Sequence, residues 1–251
     1  MNLQLLDGKV TVAVSDQGQG RAFLLLHGGA GPGSVAGLAA ALATKARVLT
    51  PTHPGFNGEP RPEGLASVGD LARAYVDLIA RLDLKDVVVI GNSVGGWIAA
   101  EMALLEPGRV AGIVLLNAVG IAGEIVDPVK LPPAGRAAHV FHDPQRYSLA
   151  PATPEAAAVM AANHATLKVY AGQPFMHDPT LQARLARMPV PALVVWGVSD
   201  RIVDVDYGRR LSDSMPGARF ATVEEAGHFP QIEQLSEVVG MIDTFSSEQM
   251  L

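Results

Sequence analysis

The sequence has no cysteine. That one absence excludes a disulfide framework, a thiolate zinc site and a cysteine nucleophile. Clustered positive charge is missing as well. There are 19 Lys and Arg against 25 Asp and Glu, a formal net charge of −6. Affinity for phosphate backbones comes mainly from grouped Lys and Arg, so nucleic acid is not an expected partner. The start, Met1 to Asp7, carries neither a basic segment nor a long apolar one, unlike a secretory signal. No stretch approaches the ~18 uncharged apolar residues of a membrane span. A soluble cytoplasmic protein without a membrane partner is the expectation. Internal repeats and low-complexity tracts are also absent.

What is present is the composition of a globular enzyme. Hydrophobic residues make up 49% of the 251 positions and charged residues 18%, enough for one well-buried core. Lys9 to Asp16 alternates apolar and polar residues and predicts an antiparallel edge strand. Short continuous apolar runs follow at Ala22–Leu26, Ala46–Leu49, Val87–Ile90, Gly112–Leu116 and Ala192–Trp196. A weaker run is Arg219–Val223. Helical patterns lie between them at Val35–Thr44, Ser67–Leu82, Val94–Leu105 and Leu235–Phe245. Strands that alternate with helices predict a mostly parallel sheet with helices on both faces.

One segment breaks the rhythm. Ile121 to Met188 holds no convincing buried strand but many prolines, among them Pro128, Pro132, Pro133, Pro151 and Pro174. Helical stretches are predicted at Pro154–Tyr170 and Pro179–Arg187. A gap of this length inside a compact domain is rarely plain loop. The expected organisation is a core made of 1–120 and 189–251, interrupted by a helical insertion at 121–188.

The most informative motif is Gly91-Asn92-Ser93-Val94-Gly95-Gly96. It follows a β-branched run and opens an apolar helix. A strand that turns at once into a helix strains the residue between them. Gly91 and Gly95 leave room for that because they lack a Cβ. The turn lifts the Ser93 hydroxyl to where a substrate can reach it. The amide of Val94, in the first helical turn, is a free donor at the positive end of the helix dipole. It suits a developing oxyanion. The bland reading is a Gly/Ser turn that only packs helix on strand.

A serine hydroxyl is a weak nucleophile until a base takes its proton. Of the seven histidines, His139, His142, His164 and His177 fall in the irregular insertion. His27 ends a strand beside glycines and reads as a loop-shaping residue; His53 sits in another loop after a strand. His228 follows the last strand and precedes the final helix, so it is the candidate base; the alternative is a loop-stabilising histidine. The third member is a carboxylate past the preceding strand. Asp200 in Trp196-Gly197-Val198-Ser199-Asp200 fits, with Asp204 as the competitor. Asp204 and Asp206 read as N-terminal acids of the next helix.

The loop His27-Gly28-Gly29-Ala30-Gly31-Pro32-Gly33 admits two readings. One is an oxyanion loop with amides aimed at a substrate carbonyl. The other is a dinucleotide phosphate loop. The spacing misses G-x-G-x-x-G because Ser34 stands where the last glycine belongs. The next strand also ends without an acid for a ribose.

Together these residues resemble the α/β-hydrolase superfamily over nearly the whole chain outside the insertion. The order Ser93, Asp200, His228 is the one expected there. The resemblance implies an eight-stranded, mostly parallel sheet. It also implies that the second oxyanion amide belongs to Gly29 and that 121–188 is a mobile cap. The loop from His27 and the Ser93 turn are similar to those of carbon–carbon hydrolases that open meta-cleavage products. Those usually carry a tryptophan after the catalytic histidine and a cap arginine that pairs with a substrate carboxylate. Here the position after His228 is Phe229, and Arg136, Arg146, Arg184 and Arg187 sit in no matching motif. Aspartate-nucleophile relatives are disfavoured by Ser93. The expected activity is ester hydrolysis of a small molecule, with no metal or organic cofactor required. Carbon–carbon cleavage of a vinylogous diketone and a non-catalytic ligand-binding role are the alternatives.

Overall fold

The structure, a computed structural model, describes residues 1–147 and 153–248. Pro151 therefore lies outside the described residues, as do 249–251 at the end of the expected core. The strands are β1 (Asn2–Leu5), β2 (Val10–Gln17), β3 (Ala22–Leu26), β4 (Arg47–Pro51), β5 (Val87–Asn92), β6 (Val110–Leu116), β7 (Ala192–Gly197) and β8 (Arg219–Val223). They form one eight-stranded sheet in the order β1-β2-β4-β3-β5-β6-β7-β8. β2 is antiparallel to both β1 and β4; every other pairing is parallel.

The parallel strands read as unbroken apolar runs because both of their faces are covered. In β3, Leu24 and Leu26 join one buried cluster while Phe23 and Leu25 join the other. In β5, Val87 and Val89 face the first cluster, and Val88 and Ile90 the second. Helices α1 (Ala36–Leu42), α2 (Val68–Arg81) and α3 (Val94–Leu105) follow β3, β4 and β5. The start of α2 is capped by Ser67, whose hydroxyl accepts the Asp70 amide at 3.1 Å. Such a cap is worth about 1 kcal/mol. Helix α3 is apolar on nearly every side, Glu101 apart, because it is buried along nearly its whole length.

The insertion between β6 and β7 contains α4 (Pro133–Val140), α5 (Pro154–Ala171) and α6 (Leu181–Leu185). After β7 come α7 (Val205–Asp213), α8 (Pro230–Glu233) and α9 (Leu235–Glu248).

Three expectations need correction. The strand at Lys9–Asp16 is not an edge, because β1 pairs along its outer side. Asn2–Leu5 is too short to stand out by alternation, and its pairing with β2 decides it. Helix α4 was not foreseen in a segment dense with proline. Pro133 sits in its first turn, where a missing N–H costs nothing. The stretch Pro179–Arg187 contracts to Leu181–Leu185, because Asp178 and Thr180 form a turn before it.

Candidate active site

The turn from β5 into α3 puts Ser93 at φ 55°, a region costly for a residue with a side chain. Backbone bonds from several directions hold it there. Its amide donates to Leu116 O at 3.0 Å, and its carbonyl accepts from Gly96 at 3.0 Å and Val119 at 3.3 Å. A Cβ on Gly91 would collide with the Gly95 backbone, and one on Gly95 with the Leu26 and His27 carbonyls. Only glycine fits at either place. The two glycines therefore do the work expected of them.

Ser93, Asp200 and His228 come from distant parts of the chain and end at the carboxyl edge of the sheet. The His228 Nδ1–H donates to Asp200 Oδ2 at 2.8 Å. Asp200 Oδ1 accepts the amides of Ile202 at 2.8 Å and Val203 at 3.2 Å. Both residues are buried, so this pairing keeps a charge from standing alone. Asp204 is not part of the group. It caps α7 by accepting the Tyr207 amide. His228 and Ser93 line one cavity of about 390 Å³ together with Gly29. Among the described residues no hydrogen bond joins the Ser93 hydroxyl to the His228 ring. Such bonds commonly tighten only when substrate arrives.

The amides of Gly29 and Val94 have no acceptor among the described residues. Gly28 packs closely against the Ser93 turn, since a Cβ there would lie 3.0 Å from Ser93 Cβ. His27 and His53 stand behind this loop, both fully buried. His53 N donates to His27 Nε2 at 3.0 Å, and the His27 Nδ1–H donates to Gly28 O at 2.7 Å. Burial pushes His27 down to about 4, and His53 well below its ordinary value. Burial disfavours the charged form of both rings, and their hydrogen bonds brace the loop, the role read for His27 from the sequence.

A family model described as the alpha/beta hydrolase family matches residues 23–240. The chain belongs to the alpha/beta hydrolase family. It is 25% identical to the 2-hydroxy-6-oxo-6-phenylhexa-2,4-dienoate hydrolase of Burkholderia cepacia, over 88% of this chain and 86% of that one. Among solved structures it resembles a meta-cleavage product hydrolase from Pseudomonas fluorescens. That match has a TM-score of 0.80 and 22% identity, over 99% of this chain and 97% of the other. A thermophilic esterase from Thermogutta terrifontis matches with a TM-score of 0.75 and 22% identity, over 99% and 98%. At such identities the structural matches speak for the fold.

Other parts of this hydrolase's site were not legible in the sequence. Asn117, fully buried just after β6, donates from Nδ2 to Asp200 Oδ2 at 2.8 Å and accepts the Gly197 amide at 3.1 Å. The available signal was a polar residue ending a buried parallel strand, where ligand sites of such sheets collect. Asn92 donates to the His228 carbonyl at 3.0 Å and so ties the Ser93 turn to the His228 loop.

The cavity wall is mainly apolar: Val126, Val159, Met160, Leu167, Phe175 and Ile202 are among its lining. None of the insertion's arginines lines it. Arg184 is held by Glu101 at 2.6 Å and Asp178 at 2.7 Å, and Arg136 donates to the carbonyls of Leu131 and Val129. Lys168 and His164 are the basic side chains on the wall besides His228. Burial lowers His164 below its ordinary value, with Arg136 adding to the effect. Among the described residues no group of His, Asp and Glu is placed to hold a metal. No helix there is long and apolar enough to cross a membrane.

Proposed function

We propose that this hydrolase cleaves a carboxylic ester of a small, largely apolar molecule through an acyl-enzyme at Ser93. The observation that carries the reading is the buried His228–Asp200 hydrogen bond beside a strained serine on the same cavity. His228 Nε2 takes the Ser93 proton as Oγ attacks the carbonyl carbon. The amides of Gly29 and Val94 receive the oxyanion; losing one such donor typically costs ~10²–10³ in rate. As the carbonyl re-forms, the bond to the alkoxide breaks and the imidazolium protonates it. Water, deprotonated by the same ring, then frees the acid. In this reading 121–188 is a cap that supplies most of the apolar wall, over a core of 1–120 and 189–251.

Carbon–carbon cleavage of a vinylogous diketone is the second reading. The named relatives favour it, as does Lys168, which lines the cavity with no salt-bridge partner among the described residues. Against it stands the lack of a cavity-facing arginine for the carboxylate of such a substrate. The test is Ser93→Ala with short acyl esters and ring-cleavage products offered in parallel. Loss of all turnover supports a serine nucleophile; full ester turnover in the variant ends the proposal. A wild-type preference for diketones over esters selects the second reading.

A further inference from the structure

One carboxylate outside the reacting groups stands at a junction. Glu233 ends α8, on the chain just after His228. Its Oε1 accepts the backbone amides of His142 at 2.9 Å and Asp143 at 3.2 Å, and its Oε2 accepts that of Gly227 at 2.7 Å. Among the described residues it forms no salt bridge. Its charge is therefore committed to backbone N–H groups, in bonds stronger than neutral ones. The two sides it joins are the residue before the expected base and the segment that follows α4.

Other contacts run the same way. The His228 amide donates to Val140 O at 2.7 Å. A Cβ on Gly227 would strike the Val140 carbonyl and come within 3.0 Å of Phe141 Cα. The glycine before His228 is thus demanded by the insertion's own backbone. Phe141 packs with Phe229 and Ile202 in a small buried cluster.

We propose that Glu233 is a positioning residue: it clasps the base loop to residues 142–143 and so fixes where the His228 ring stands relative to Ser93. This rests on the reading of His228 as the base. A carboxylate suits the task because two oxygens can serve donors from two directions, whereas a glutamine has one acceptor oxygen.

The experiment compares Glu233→Ala and Glu233→Gln on p-nitrophenyl butyrate. Active sites are counted by labelling to completion with a fluorophosphonate. The Ala variant should lose about 10–100-fold in kcat per labelled site, with KM within about twofold, as small misplacements do. The Gln variant, which keeps one acceptor, should fall between. An unchanged kcat per labelled site in the Ala variant, with only the labelled fraction reduced, overturns the proposal, since that is the mark of a merely structural role. If the Ala variant does not fold, the Gln variant decides, and a wild-type kcat per labelled site overturns it. His228→Asn is measured alongside. If it keeps full turnover, the base assignment fails and takes the clasp with it; if it is inactive while Glu233→Ala is fully active, only the clasp fails.

Discussion

The two parts of the insertion meet the site in different ways. Residues 126–143 are sewn to the Asp200 and His228 loops largely through backbone groups. Val126 N donates to Ile202 O, Arg201 N to His139 O, and His228 N to Val140 O. Helix α5 instead leans on the loop after β4 through side chains. Asn163 accepts the Asn57 amide at 2.8 Å, Thr166 donates to Gly55 O, and Tyr170 donates to Pro54 O. Leu167 lies over Gly29, where a Cβ would come within 2.6 Å of its Cδ2. Backbone bonding constrains position whatever the side chains are. Side-chain bonding can be exchanged residue by residue. Both parts line the cavity; the first is therefore the more firmly fixed framework, and the second the more adjustable part of the wall.

The largest effect expected from this contrast is on the framework side. Asp200→Asn keeps the shape but removes the acceptor that selects the His228 tautomer, so kcat should drop about 10⁴-fold. A loss under tenfold, measured on short esters, would count against an acid–base pair at this position.

The next effect lies behind the Gly28-Gly29 loop and is read through pH. The folded state holds His27 neutral down to about pH 4, while an unfolded chain protonates it near 6.5. The unfolded state binds the extra proton between those values. Stability is then complete above about pH 6.5 and is lost as pH falls toward 4, by on the order of 3 kcal/mol. His53 acts in the same direction. Urea unfolding across this range should show the slope, and His27→Asn should flatten it. Equal slopes in both proteins would contradict the brace.

The smallest effect belongs to the adjustable side. Asn163→Ala removes the bonds to Asn57 and should cost about 1–2 kcal/mol of stability. KM should change several-fold while kcat stays within about threefold. A kcat loss equal to that of a framework variant would erase the distinction between the two parts. Thermal melts and steady-state kinetics on one ester suffice.

Reading the chain alone reached furthest where chemistry and local geometry coincide. The glycines around Ser93 declare a turn because only residues without a Cβ fit there, and Asp204 declares a helix start by its place before Val205. The same reading overlooked β1, α4, Asn117 and Glu233. Their roles come from partners far off in the chain. Asn117 looks like any residue after a strand until Asp200 is beside it, and Glu233 looks like a surface acid until the 142–143 amides reach it.

The sequence by itself determined the alternation of buried strands and helices, the strained serine turn, and which histidine and aspartate follow the last strands. These are written in spacing and in steric limits that act over a few residues. Tertiary structure alone decided that the insertion would split between framework and wall, and that no insertion arginine would face the cavity. Both outcomes depend on long-range pairings, such as Arg184 with Glu101, whose free energy exists only once the two segments meet.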